Sequence, residues 1–488
     1  KRTDEEQVER LPVLTGLAVF FSDALSSVAY GPEEILFVLA AAGTAGLAYG
    51  LPVAAAIVLL ILIVSASYIQ IIHAYPAGGG AYTVARENLG EIPGLVAAGA
   101  LLVDYILTVA VSVAAGVASL AAGVPALRGH ETGLAVVAVL VLTWLNLRGV
   151  RESGTAVAIP VYGFVLVIGG LVTAGLVQLA RGAWALEFLP EPTVIARGAW
   201  HPGVDPAQGL QFGHLPWTGA GLSLFLLLRA FASGTATLTG LEAVANGVKA
   251  FRPPEARNAA RTMALGRTLL AVLFAGLMVL ATGLHVVPRE GETVISQMAR
   301  AVFDGGLLYY AVVVAVMVIL LLAANTAFAG FPRLLAVLAR DGYVSRRFAN
   351  LGDTLVYSLG IALLALASSL LLVLFRGSTH RLIPLYAVGV FTAFTLSQTG
   401  MVVHWLREAR ARREATADGH GHAAGAEGGR SRLPGLGLLW PLAINGLGAV
   451  ACGVVLAVVV VTKFALGGWV AVVLIPLLVG YFLSVRNY

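Results

Sequence analysis

Charge and cysteine are scarce in this chain, and each scarcity removes a class of protein. Only 12% of the 488 residues are Asp, Glu, Lys or Arg, about half the share of a soluble globular protein. A water-soluble domain of this size is thereby excluded. The single cysteine, Cys452, excludes an internal disulfide framework and a cysteine-based metal site. Period-two alternation punctuated by turns is missing, which argues against an outer-membrane barrel. No cleavable leader is visible. A polar, mixed-charge stretch (residues 1–10) precedes the first apolar run, which is expected to act as its own membrane signal. There is no nucleophile–base set, phosphate-cradling loop or metal-ligand cluster, so neither an enzyme nor a cofactor is expected.

What the chain does have is apolar length. It is 58% hydrophobic, with a mean hydropathy of +0.88. Its 57 glycines suit closely packed membrane helices. About 20 apolar residues cross the hydrocarbon core as a helix. The pattern predicts an all-α polytopic membrane protein with twelve spans: 12–42, 49–72, 93–123, 132–148, 155–181, 219–247, 263–287, 306–329, 354–376, 381–406, 437–462 and 466–485. A pI near 9.4 would suit a nucleic-acid binder, but the basic residues sit mainly between spans, so no nucleic-acid partner is expected. With the N-terminus cytoplasmic, that side collects about 22 Lys and Arg and the other about eight, as the positive-inside rule requires. Three clusters then share the inner face: Lys249, Arg252, Arg257 and Arg261; Arg333, Arg340, Arg346 and Arg347; and Arg407, Arg410, Arg412 and Arg413. The longest outer loop, 182–218, carries Trp184, Trp200 and Trp217, which suit the membrane interface. His420 and His422 in the Gly-, Ala- and His-rich stretch 414–433 could bind a metal, but the composition reads as a linker.

Two spans are interrupted. In the first, the string Phe21-Ser22-Asp23-Ala24-Leu25-Ser26-Ser27-Val28-Ala29-Tyr30-Gly31-Pro32-Glu33-Glu34 puts an aspartate, hydroxyls and a Gly-Pro break between apolar flanks. In the sixth, Gly234-Thr235-Ala236-Thr237-Leu238-Thr239-Gly240-Leu241-Glu242 replaces the expected leucines and brings Glu242 to membrane depth. Irregular backbone and buried carboxylates are costly in lipid, and are tolerated where they contact a solute or line a cavity. Breaks in corresponding positions of two halves point to the binding site of an inverted-repeat transporter. Spans one and six correspond if each repeat has five helices; spans eleven and twelve are then additions. The expected organisation is a cytoplasmic N-terminus (1–11), a transport core (12–406), a cytoplasmic linker (407–436) and the last two spans (437–488). Because Asp23 repels a carboxylate and attracts a cation, the solute is expected to be a cation.

Span three offers matching chemistry. Tyr105, Thr108 and Ser112 fall at i, i+3 and i+7, on one face of an otherwise apolar helix. Hard oxygens of this kind can replace water around an alkali ion. Either hydroxyl alone would read as a packing residue bonded to its own helix; with Tyr105, opposite Asp23 and Glu242, they read as a site. Asp104 would pair with an arginine or line the pathway. Glu242 has two readings: a fixed counter-charge, paired for example with Arg229, or a proton carrier. Desolvation disfavours the ionised form of a carboxyl, which favours the second. His73 and His404, at span ends, read as interfacial.

The sequence Pro76-Ala77-Gly78-Gly79-Gly80-Ala81-Tyr82 resembles the PxxGGxY signature of the amino acid–polyamine–organocation superfamily. Gly240-Leu241-Glu242, Asn246 and Pro253-Pro254-Glu255-Ala256-Arg257-Asn258 are similar to its span-six region. Within it, the Ser-Asp-Ala-x-Ser-Ser-Val-Ala-Tyr string resembles the KimA-type potassium transporters. That resemblance covers nearly the whole chain and implies a LeuT-like 5+5 inverted repeat with broken helices one and six. It implies that Asp23, Tyr30, Thr108, Ser112 and Thr239 hold the potassium ion. Tyr105 would contribute to the same binding site, Tyr386 would lie near the potassium path, and Glu242 would couple the proton. The implied activity is potassium uptake driven by the proton gradient in a bacterial plasma membrane, with potassium and protons as the transported species. Family members carry a cytoplasmic C-terminal domain that supports a homodimer and responds to cyclic di-AMP. This sequence ends at Tyr488, just after the twelfth span, so regulation by that nucleotide is not expected of these residues.

Two other readings compete. A proton-coupled amino acid or polyamine permease of the same superfamily would use the same fold, and a polyamine would also seek carboxylates. A channel or non-transporting sensor would need a continuous pore, which discontinuous helices do not suit.

Overall fold

The computed structural model describes residues 10–149, 154–182, 223–289, 291–350, 352, 356–417 and 436–486. The described elements are helical, apart from isolated bridges at Leu11–Phe251 and Arg289–Glu292. In chain order they begin with α1 (Val13–Ser26), α2 (Gly31–Leu39), α3 (Gly43–Leu47), α4 (Gly50–Ala74), α5 (Ala81–Leu89), α6 (Glu91–Gly123), α7 (Glu131–Leu147) and α8 (Gly154–Ala180). The second part runs through α9 (Leu224–Gly234), α10 (Glu242–Asn246), α11 (Glu255–Gly283), α12 (Val294–Phe303), α13 (Leu307–Arg340), α14 (Ser358–Leu374) and α15 (Thr379–Ala417). The last two helices are α16 (Leu436–Lys463) and α17 (Gly468–Arg486). Trp184, Trp200, Trp217, His420 and His422 lie outside the described residues, as does the stretch 1–9.

Among the described residues, ten stretches are long and apolar enough to cross a membrane, counting Val13–Ala42 and Leu224–Asn246 as one each. The expected spans four and nine are apolar helices of 17 residues, α7 and α14, just under the usual spanning length. Large apolar side chains such as Ile159, Leu166, Leu366 and Val461 are exposed. Such a surface suits hydrocarbon, not water. The chain is a multi-pass, all-helical membrane protein. Hydropathy misjudged several ends. Helix α13 runs eleven residues past the expected 329, and α15 runs on from 406 to Ala417. Backbone hydrogen bonds carry a helix through the interface after its side chains turn polar, where a hydropathy window stops. Two short helices, α5 and α12, were not expected. Helix α12 is strongly amphipathic, and its N-cap Thr293 accepts from the Ser296 amide at 3.2 Å.

Contacts between elements come in reciprocal pairs. Helix α1 packs on α11, and α9 packs on α4; α6 meets α7 as α13 meets α14; α8 packs on α13 as α15 packs on α6. Helix α4 lies along α11, and α6 along α13. The segments flanking the interruptions also pair. The Leu11 amide donates to the Ala250 carbonyl at 2.8 Å, the Arg252 amide to the Leu11 carbonyl at 3.0 Å, and Arg10 bridges to Glu255 at 2.6 Å. The start of the first span is thereby fastened to the end of the sixth.

Candidate functional site

The two interruptions meet, but they are built differently. In the first span the helix tightens to a 3₁₀ turn at Ser27–Ala29, and the backbone stays right-handed through Tyr30 (φ −118°, ψ −20°). Pro32, in the first turn of α2, has no amide to donate backwards. In the sixth span the 3₁₀ turn Thr235–Leu238 ends in extended backbone at Thr239 (ψ 154°), followed by Gly240 at φ +79°. That left-handed conformation disfavours a side chain. A Cβ at Gly240 would also lie 2.6 Å from the Ala24 amide nitrogen and 2.9 Å from Asp23 Cγ. Gly240 therefore lets the broken sixth span rest directly on Asp23.

Side chains stitch the two breaks together. Ser27 Oγ lies 2.5 Å from the Ala24 carbonyl and 2.9 Å from the Thr237 carbonyl, so its one proton is shared between the helix and the facing break. Ser26 donates to the Asp23 carbonyl at 2.7 Å. The Tyr30 and Thr239 hydroxyls are 3.4 Å apart, and Thr239 also donates to the Ala236 carbonyl at 3.0 Å. From span three, Thr108 Oγ1 meets the Tyr386 hydroxyl of α15 at 2.9 Å. Asp23, Asp104 and Tyr386 are electrostatic neighbours of Tyr30. Ser112 is buried on α6, one turn beyond Thr108. Tyr105 is set somewhat apart; its ring seats on Gly330 of α13, within the field of Asp23, Asp104 and Glu242. The structure thus brings together Asp23, Tyr30, Thr108, Thr239 and Tyr386, with Ser112 and Tyr105 on the flank.

Asp104 belongs with them. Its electrostatic neighbours are Asp23 and Glu242, not the expected arginine. The oxygens Asp23 Oδ1, Asp104 Oδ1 and Glu242 Oε2 are buried without a hydrogen-bond partner. Among the described residues, no ion pair joins any of the three carboxylates to a Lys, Arg or His. Uncompensated buried carboxylates are costly. Together with neutral hydroxyl oxygens they form a seat that attracts a cation or a proton. Of the two roles the sequence left open for Asp104, an arginine partner or the pathway, its neighbours favour the second; as an i+1 neighbour of Tyr105 it is nominally turned to another face, so the sequence could not choose.

Glu242 sits at the α5 side of the break. Its Oε1 accepts from the Ala81 amide at 2.7 Å, at the first turn of α5, where a carboxylate is favoured by the helix dipole. It also receives the Asn246 amide group at 3.4 Å. The glycine run before α5 makes this approach feasible: a Cβ at Gly80 would lie 2.1 Å from Asn246 Oδ1 and 3.0 Å from Glu242 Oε1. Gly79 donates to the Ala245 carbonyl at 3.2 Å. Helix α5 is held beyond this point as well. The Tyr82 hydroxyl donates to Asp341 Oδ2 at 2.5 Å, Arg86 bonds the same oxygen, and Arg407 donates to the Asn88 carbonyl at 3.1 Å. The suggested partner of Glu242, Arg229, instead stands in the field of Glu34.

A second charged cluster lies at the other end of the broken spans. His380 of α15 hydrogen-bonds Glu34, approaches Glu33 at 3.7 Å and stacks on Phe37 with ring centroids 4.3 Å apart. Glu33 accepts from the Val294 amide at 3.1 Å, which ties α2 to the start of α12. Lys463, buried, bonds Ser233 of α9 and is an electrostatic neighbour of Glu34 and Arg229. The paired glutamates were visible in the sequence; their partners come from distant helices and were not.

A family model described as "Amino acid permease" matches residues 12–481. The chain is 43% identical to the potassium transporter KimA of Bacillus subtilis (strain 168) over 480 residues, which cover 98% of this chain and 71% of that protein. With interrupted, mutually seated spans and a family match over nearly its whole length, the chain belongs to the amino acid permease family of the amino acid–polyamine–organocation superfamily, a family of membrane transporters and not of enzymes.

Proposed function

We propose that this protein takes up potassium together with a proton, by alternating access across a bacterial plasma membrane. One observation carries the reading. A buried aspartate with an unpartnered oxygen lies under the break of the sixth span, amid hydroxyls of Tyr30, Thr239, Thr108 and Tyr386. Its donors are all oxygens, which suits an alkali ion. The name of the Bacillus relative points the same way. The family description keeps an amino acid or polyamine permease as the second reading. Against it, the crossing of the breaks is tightly filled: Gly240 rests on Asp23, and a Cβ at Gly31 would lie 2.3 Å from Thr237 Oγ1. That leaves little width for an organic chain, while a bare ion needs only a gap between oxygens.

The mechanism follows from the arrangement. Potassium reaches the seat from outside and exchanges water for oxygens of Asp23, Tyr30, Thr108, Ser112 and Thr239, with Tyr105 and Tyr386 on its path. A proton binds Glu242. Neutralising these carboxylates lowers the cost of enclosing them, so the occluded state becomes accessible. A protonated Glu242 also loosens its hold on the α5 amide, and the inner side is freed to open by rocking of spans one, two, six and seven. Reciprocal packing of the two sets of five helices supports a LeuT-like inverted repeat as the frame for this motion. The charge asymmetry favours a cytoplasmic N-terminus. Two charges moved inward gain about 4.6 kcal/mol at 100 mV, from roughly 2.3 per charge. That supports about three decades of accumulation at 1.4 kcal/mol each.

The test is electrogenic uptake in proteoliposomes, with potassium, sodium, amino acids and polyamines compared side by side. Potassium-specific current that grows with an inward proton gradient is expected. Accumulation of a polyamine or amino acid without potassium would replace this reading with the second.

A further inference from the structure

Beside Glu242, away from the ion seat, the interface of α4, α15 and α16 buries a group of polar side chains that packing does not explain. Tyr68, Ser65, Ser397, Gln398 and Asn445 are fully enclosed. Yet Tyr68 OH, Ser65 Oγ, Ser397 Oγ, both ends of the Gln398 amide and Asn445 Oδ1 have no hydrogen-bond partner. Leaving such groups unsatisfied is costly, and buried polar atoms in proteins are almost always bonded to protein or to internal water. The groups are neighbours. Tyr68 is in interaction range of both Glu242 and Ser397, without a direct hydrogen bond to either. A Cβ at Gly448 of α16 would lie 2.4 Å from Ser67 Oγ and 3.4 Å from Gln398 Oε1, which draws the three helices together at one point. Ser67 donates across the same interface to the Ile444 carbonyl at 3.1 Å. Polar pairs held just beyond hydrogen-bond reach, with several free donors and acceptors, fit bridging water.

We propose that Tyr68, Ser397 and Gln398 hold internal water against the free oxygen of Glu242, a hydration site distinct from the ion seat through which Glu242 exchanges its proton. The inference rests on Glu242 as the proton carrier. Facing Glu242 are Tyr68 from α4, the Ala81 amide at the start of α5, Asp104 and Tyr105 from α6, and Asn246 from its own helix. Arg333 of α13 stands beyond Tyr105, and Cys452 of α16 and Ser397 of α15 stand beyond Tyr68. Cys452 and Ser397, beyond Tyr68, are neutral, while Asp104 lies in the field of Tyr68 as well as of Glu242. Tyr68, Ser397 and Gln398 are positioning residues: they act on the proton through Glu242 and are not among the oxygens assigned to the ion seat.

Tyr68→Phe and Gln398→Leu discriminate between water and dry packing. With bound water, each variant is expected to move the pH of half-maximal potassium uptake in proteoliposomes by about one unit, a tenfold change in proton concentration. The half-saturating potassium concentration should stay within about twofold, since the seat is untouched. In a dry interface, Gln398→Leu would instead remove an unsatisfied amide, raise the melting temperature and leave the pH profile alone; that result overturns the proposal. X-ray radiolytic footprinting of the unmodified protein gives an independent readout, because a fully buried Tyr68 is oxidised only if water adjoins it. No oxidation there, or oxidation suppressed by added potassium, would also overturn it, the latter by assigning the pocket to an alkali ion. Glu242→Gln separates the two levels. If it leaves the pH profile intact, the proton-carrier reading itself fails. If it abolishes pH dependence while Tyr68→Phe and Gln398→Leu do not alter it, only the water site fails.

Discussion

Asp23 and Gly240 are one feature seen from two spans, and substitution of either tests it. Asp23→Asn removes the charge that would hold the ion. Hydrogen bonds and contacts to charged groups are worth about 1.5–3 kcal/mol, so potassium affinity is expected to fall roughly ten- to a hundredfold. Growth of a potassium-uptake-deficient bacterium on low potassium, with membrane expression checked in parallel, measures this; normal growth would remove Asp23 from the seat. Gly240→Ala places a methyl against the Ala24 amide and forces a left-handed residue, at about 1–2 kcal/mol for the backbone alone. A lower melting temperature together with lost uptake is expected. Much of this site was legible beforehand, because a carboxylate and hydroxyls inside apolar runs stand out whatever the fold. Asp104 was legible only as one of two alternatives, and the Ala81 amide under Glu242 not at all. A backbone donor has no side-chain signature, and its approach depends on Gly80 lying against Asn246.

The short helices act as fasteners at the scale of elements. Helix α5 is tied to α10 through Glu242, to the end of α13 through Tyr82 and Arg86, and to α15 through Arg407. Gly80→Ala should pry α5 from α10, since its methyl would overlap the Asn246 side chain. Uptake is expected to drop at least about tenfold, while an intact size-exclusion profile would separate this from misfolding. On the opposite side, His380→Ala leaves Glu34 without its histidine. Removing one partner of a buried pair costs about 3–5 kcal/mol, so α2 should come away from α15. A cysteine introduced for Phe37 should then react faster with an aqueous maleimide than in the His380-containing protein; equal rates would deny His380 a closing role. These fasteners escaped the sequence reading because α5 and α12 are too short and polar for a hydropathy window. The interruptions were legible, but not their asymmetry. Hydroxyls, glycine and proline announce a break, whereas only the backbone tells that one span tightens and the other turns extended.

At the scale of the whole molecule, the pattern of apolar runs foretold a helical membrane protein, and its two interrupted spans do meet. Orientation is open to direct test. In intact cells, a membrane-impermeant maleimide should label the His130→Cys variant, whereas Arg346→Cys should react only after permeabilisation. Cys452, buried, should remain silent in both. The reverse pattern would invert the proposed topology. The proposed ion seat is divided between two stretches far apart in sequence. Tyr30 needs Thr239, Ser27 needs the Thr237 carbonyl, and Glu242 needs Ala81. Severing the polypeptide between the two stretches would therefore leave two fragments, each with half a coordination shell. Selectivity would return only when they reassembled along their common seam.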